Sequence, residues 1–282
     1  MAPQDPAGGA SLIEPGFVHL RVHSAYSLLE GALKLPRVID WARDNGAPAI
    51  AVTDTANLFG ALEFAQKASA AGVQPIIGCQ LPIRFDGEGD DERGQGRGGK
   101  GMTTDAAIVL LAANETGYRN LVELVSRAYL DEDDLDCVRI HDGWLAQRAE
   151  GIICLTGGPS GPVGSALADG HRKLAEQRLV TLRTLFGDRL YVELQRHGSW
   201  DRALEARTVE LAYRHHLPLV ATNEAFFLNR ADFEAHDALI AIADGALLSM
   251  DDRRRLAPDH WLKPAADMIR LFSDLPEATA NT

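Results

Sequence analysis

The chain has 282 residues, 46% of them hydrophobic and 24% charged, with 28 basic against 40 acidic residues and a formal charge of −12. That composition fits a soluble globular protein and excludes collagen-like, mucin-like and wholly disordered classes. An acidic surface repels phosphate backbones on average, so little direct DNA contact is expected.

Residues 1–14 are rich in Pro, Gly and Ala and predict a disordered lead-in with neither the basic start nor the apolar segment of a secretion signal. Residues 17–22 alternate as a strand. Residues 35–45 have helical spacing and end at Gly46. A strand at 49–53, a helix at 60–71 and a strand at 74–79 follow. Residues 86–104 are polar and glycine-rich, cannot bury a core, and predict a mobile loop joining two hairpin-like strands. A strand at 106–112 and a helix from Asn114 to about Tyr129 come next, then an acidic turn at 131–136. Strands at 151–155, 190–194 and 217–221 alternate with helices at 167–186, 201–215 and 232–243. Strands separated by helices predict parallel pairing, and seven of them suit a distorted seven-stranded (β/α) barrel.

The three cysteines, Cys79, Cys137 and Cys154, form no C-x-x-C pair. They point to a reducing, cytoplasmic home rather than a disulfide framework. No apolar run approaches the roughly 20 residues needed to cross a bilayer, so no membrane partner is expected.

In a parallel α/β barrel the working residues lie where strands end. Polar and titratable groups recur there: His23 to Glu30 after the first strand, Thr53 to Asn57 after the second, Gln80 after the third, Glu193 to Gly198 after the sixth, and Asn223 to Phe227 after the seventh. The bland alternatives stand beside them. His19 reads as a core histidine or a ligand, on the same strand face as Arg21 and His23. Asp54 and Asn57 fit a turn. Gly157-Gly158 fits a tight turn better than a phosphate cradle.

The segments FVHLRVHSAYSLLEGALKL, AVTDTANLFGALEF, GVQPIIGC, VELQRHG, VATNEAFF and LFSDLPEATANT resemble, in order, the PHP (polymerase and histidinol phosphatase) domain of bacterial replicative DNA polymerase III alpha subunits. The resemblance implies a PHP domain over 15–282, with about 255–282 as a linker toward a polymerase palm. Metal-binding members of that family carry a full set of His and acid ligands. Position by position, Arg21 and His23 stand where the family has His-x-His, Glu30 where it has Asp, and Asp54-Thr55 where it has Asp-His. Gln80 replaces an acid, Glu193 and His197 are retained, and Glu224 and Phe226 stand where the family has Asp and His.

These ten positions read as a vestigial metal site. A zinc or manganese ion needs lone pairs from imidazole, thiolate or carboxylate, which Thr55, Gln80 and Phe226 supply poorly or not at all. A fixed charge on Arg21 about 4 Å from a dication costs roughly 8 kcal/mol in raw Coulomb terms at an effective dielectric near 20. No metal cluster and no catalytic residue is therefore expected in this domain, one ion held by two histidines and an acid being the alternative, and Arg21 is expected to neutralise the leftover carboxylates. The resemblance implies a DNA-directed DNA polymerase as the parent, using Mg²⁺ on aspartates outside this chain. It implies as partners the polymerase body in cis, the proofreading exonuclease (epsilon) subunit and other replicase subunits. The rival readings are an active metal-dependent phosphoesterase, either 3′–5′ exonuclease or pyrophosphatase, and a stand-alone sugar or phosphate binder.

Overall fold

The computed structural model describes residues 16–86, 106–131, 138–198 and 200–282. The expected lead-in, the Gly-rich loop beyond Asp86 and most of the acidic turn lie outside the described residues.

The elements run α1 (Leu35–Asp44), β1 (Ala49–Thr55), α2 (Ala61–Ala70), β2 (Gln74–Arg84), β3 (Ala107–Ala112), α3 (Glu115–Leu130), β4 (Ile140–His141), α4 (Asp142–Arg148), β5 (Ile152–Leu155), α5 (Pro162–Ala168), α6 (Arg172–Phe186), β6 (Leu190–Gln195), α7 (Arg202–Arg214), β7 (Leu219–Thr222), α8 (Phe233–Ala243), α9 (Ala265–Leu271) and α10 (Pro276–Ala280). Local chemistry sets the helix starts. The Asn114 side chain accepts from Gly117 N at 2.9 Å to open α3, and Asp201 accepts from Ala203 N and Leu204 N to open α7. The single helix expected at 167–186 is two, broken at Gly170 with φ +82°.

The sheet order is β1-β2-β3-β5-β6-β7, with β4 paired to β2. The barrel expectation holds, but the all-parallel one does not: β3 runs antiparallel to both β2 and β5. The physical reason is in the sequence. The sequence between β2 and β3 carries no apolar periodicity, and a parallel return calls for a crossover segment that has one.

The expected first strand at 17–22 forms no regular ladder, yet it closes the curl. On one side Ala51 N donates to His19 O and Thr53 N to Val22 O, both at 2.8 Å. On the other, His23 N donates to Ala225 O at 2.9 Å. Two residues of β1, from Ala51 to Thr53, thus span three of this segment, from His19 to Val22. That is a one-residue bulge, and it reverses the in/out alternation. Val18 and Leu20 face the barrel interior with Ala51, Val109, Leu111, Leu155 and Val220. After the bulge Arg21 and His23 face inward, and Val22 faces out into the cluster of α1 and α2. His19, expected on the face of Arg21 and His23, instead points out. Its Nε2 donates to Lys263 O at 2.8 Å, and Trp41 meets its ring edge.

The stretch expected as a linker is part of the folded body from about Asp259 onward. Met268, Phe272 and Ala278 are buried in the main core, and Thr282 Oγ1 accepts from Val18 N at 3.0 Å. Arg196 holds it in place: its guanidinium pairs with Glu205 and Asp274, donates to Leu271 O at 2.6 Å, and lies over Phe272. Among the described residues, no helix is long and apolar enough to cross a membrane.

Candidate site at the barrel mouth

Above the apolar floor of Val18, Leu20 and their neighbours lies a charged layer built around Arg21, which is 1% exposed. The Arg21 fork reaches two strands, β2 and β6, and the chain leaving β7. Nη1 donates to Glu193 Oε1 at 3.0 Å, Nη2 to Glu224 Oε1 at 2.6 Å, and both Nε and Nη2 to Gln80 Oε1, at 3.1 and 2.6 Å. Burial works against the arginine charge, but Glu193 and Glu224 outweigh it and move its pKa up. Burial raises the Glu224 carboxyl and Arg21 opposes that rise. Glu224 carries a backbone φ of +45°, an uncommon conformation for glutamate that aims its carboxylate at the arginine.

Glu193 is also served by Gln195 Nε2 at 3.1 Å and by the Thr222 hydroxyl. These three residues come from the inward faces of β6 and β7. His23 lies beside this layer, stacked on Phe226 with ring centroids 4.3 Å apart and planes 8° apart. Its Nδ1 is 3.2 Å from Ser27 Oγ, whose own proton goes to Asp54 Oδ1 at 2.7 Å. Nδ1 is therefore the donor, and Nε2 keeps a bare lone pair 3.8 Å from Glu224 Oε1. Burial first, then Arg21 and His260, hold His23 well below its ordinary pKa.

Not every expected position joins the cluster. Asp54 builds the turn after the first segment: it accepts from Ser24 N at 2.6 Å, Ser24 Oγ at 2.7 Å and Ser27 Oγ. Burial raises its pKa and those serines oppose the rise. Thr55 donates to Glu30 Oε2 at 2.7 Å, and Glu30 faces Arg254 at 3.7 Å. The His197 ring stacks on His260 at 3.7 Å and its Nε2 donates to Asn223 O at 2.6 Å. Gly157 and Gly158 have φ of +84° and +63° and open a short 3₁₀ turn. A Cβ on Gly157 would sit 1.9 Å from Ala107 O, so the pair is explained by close packing.

The sequence reading missed the groups that cap the mouth. His260 donates from Nδ1 to Glu224 O at 3.0 Å, and burial brings its pKa to about 4. Lys263, lowered to about 8 by burial, donates to Asn223 Oδ1 at 2.6 Å. Phe226 N donates to His260 O at 2.9 Å and Leu262 N to Phe227 O at 3.0 Å, so residues 257–263 are laced onto the chain leaving β7. These residues sit in a polar stretch without periodicity, which gave no signal.

Residues 19–197 match the PHP domain family. The chain belongs to that family. Its curated relatives include the DNA polymerase III subunit alpha of Caulobacter vibrioides, 48% identical over 268 residues, and that of Escherichia coli K12, 38% identical over 271 residues. Each match covers 95% of this chain but only 23% and 22% of the relative, so this PHP chain spans under a quarter of their length. A two-domain protein from Bacteroides vulgatus containing a predicted PHP-like metal-dependent phosphoesterase superposes with a TM-score of 0.46 at 11% identity, covering 94% of this chain and 64% of that one.

The metal ions that the PHP resemblance implies do not fit this donor set. A cation cluster needs several lone pairs converging on one point. Here the converging acceptors, Glu193, Glu224 and Gln80, are already engaged by a guanidinium. In this layer His23 Nε2 and Glu193 Oε2 are buried and left bare, and both belong to residues beside the fixed positive charge of Arg21. No group of three or more His, Cys, Asp or Glu side chains among the described residues is arranged to hold a metal.

Proposed function

We propose that this chain is the non-catalytic PHP module of a replicative DNA polymerase III alpha subunit, serving DNA replication as a scaffold for the polymerase body and a docking site for the proofreading exonuclease subunit. The observation that carries the reading is Arg21, buried and bonded to Glu193, Glu224 and Gln80 where other family members bring ions together. The arginine neutralises the retained carboxylates with a charge that belongs to the chain. Polymer synthesis with Mg²⁺ is, on this reading, the work of other parts of a longer protein. The similarity to alpha subunits over 95% of the chain supports the replicative context.

Two measurements test this. Protein purified without chelator is analysed for bound metal and assayed for 3′–5′ exonuclease and pyrophosphatase activity with added Mn²⁺ or Zn²⁺. Stoichiometric metal, together with activity abolished by His23→Ala, would establish the phosphoesterase instead. The chain is also co-purified with the exonuclease subunit. A stable complex supports docking, and clean separation at micromolar concentration removes it.

A further inference from the structure

The surface around the closed mouth is apolar. Leu28 and Leu29 are 65% and 55% exposed, and Ile242, Leu247, Leu248 and Met250 are 72%, 69%, 54% and 43% exposed. Single exposed leucines are ordinary, but several on neighbouring loops mark an interaction surface. The two loops are fastened to the same arginine. Glu30, next in the chain to Leu29, faces Arg254 at 3.7 Å, and Arg254 reaches Asp244 at 3.2 Å. The Glu30 carbonyl also accepts from His236 of α8 at 2.6 Å. Leu29 has a φ of +63°, a conformation that costs a leucine on the order of 1 kcal/mol and holds its side chain out.

The rim selects the occupant. Asp244, Asp251 and Asp252 are exposed along the segment that carries the leucines; of the three arginines that follow, Arg253 is paired with Asp237, Arg254 is engaged by Asp244 and Glu30, and Arg255 is exposed, so five carboxylates stand against three guanidinium groups. The local charge is acidic, as is the chain at −12. That opposes a second copy of this chain, a nucleic acid or an anionic membrane. We infer that this face docks a basic amphipathic segment of another protein, its apolar side chains seated on Leu247, Leu248, Met250 and Leu29 and its Lys or Arg residues against Asp251 and Asp252. The inference rests on the reading of the domain as a docking scaffold and gives that scaffold a place and a chemistry.

The test uses two labelled peptides of about 18 residues, long enough to form a helix, one of Leu and Lys at amphipathic spacing and one with every Lys replaced by Glu. Fluorescence anisotropy with the whole chain should show binding of the Leu/Lys peptide and none of the Leu/Glu peptide. Leu247→Ser with Leu248→Ser should weaken it about tenfold, as expected for loss of buried anchors. Asp251→Lys with Asp252→Lys should weaken it comparably. Glu176→Lys with Glu210→Lys, which changes net charge equally on α6 and α7, should leave it within about twofold. Equal weakening by the remote pair, or no effect of the leucine pair, would overturn the inference. If the exonuclease subunit still co-purifies while these peptides ignore the leucines, this site falls and the docking reading stands.

Discussion

Replacing Arg21 by methionine keeps an apolar stem on the barrel floor and removes the charge above it. Gln80 and Glu224 lose the hydrogen bonds from position 21, while Glu193 keeps Gln195 and Thr222. Removing one partner of a buried ion pair costs about 3–5 kcal/mol, because the other charge stays buried. For a chain of this length that is a fall of about 6–10 °C in Tm. The deficit has a pH signature. Burial already raises the Glu224 carboxyl and Arg21 is the main restraint on it, with Gln195 a lesser one, so without Arg21 it rises further. A carboxyl raised in the folded state binds its proton more tightly there than in the unfolded chain. Lowering the pH through that raised value therefore restores stability, by about 1.4 kcal/mol per pH unit for each proton taken up. Urea denaturation of Arg21→Met and the parent at pH 7.5 and 5.5 should show the gap narrowing at the lower pH. Subtracting the parent cancels the histidines that Arg21 does not reach, while the lowering that Arg21 exerts on His23, His197 and His260 is relieved in the variant and narrows the gap in the same direction. A Tm within about 2 °C of the parent, or a gap that widens on acidification, would refute the electrostatic account.

The parent chain should itself weaken in acid. Burial lowers His19 and His260 to about 4 against an ordinary 6.5, so between those values the unfolded chain is protonated and the folded one is not. Stability is undiminished above about pH 6.5 and falls toward pH 4 by up to roughly 3 kcal/mol per histidine; His260→Asn should flatten that fall in denaturant titrations. Arg196→Met should release the C-terminal helices, costing about 2–4 kcal/mol and speeding limited proteolysis within 265–282, and Arg196→Lys should not restore the protection because a lysine cannot span Glu205 and Asp274 together. Gly117→Ala should be far more damaging than Gly170→Ala. A Cβ at 117 would lie 1.8 Å from Gly151 O, whereas at 170 it meets open space and costs only its backbone strain, about 1 kcal/mol. Soluble yield and Tm of the two variants decide it.

The barrel was legible because its strands carry β-branched, apolar runs and its helices have apolar faces at helical spacing, as in Leu35, Val38, Ile39 and Ala42 of α1. The direction of β3 was legible in principle. Two hairpin-like strands around the Gly-rich segment imply an antiparallel pair, strict helix–strand alternation implies a parallel one, and β3 follows the former. The inward convergence of Arg21, Gln80, Glu193 and Glu224 followed from their places at strand ends. The outward turn of His19 did not, because alternation assumes an unbroken strand and nothing in Val18-His19-Leu20-Arg21 announces a bulge. His260, Lys263 and the Arg196 clamp were invisible for a different reason. Apart from the bond from Lys263 to Asp259 O, their side-chain partners lie between 9 and 78 positions away along the chain, and long-range polar pairing leaves no periodic trace.

The extra residue between His19 and Val22 gives this wall one position of slack in length. Removing Leu20 would restore simple alternation and still leave Arg21 and His23 inward and Val22 outward, at the loss of one apolar side chain from the floor. The same deletion inside β1, whose pairing with β2 is unbroken from Ala49 to Thr55, would turn every later side chain of that strand to the other face, a disruption that no single substitution there could match.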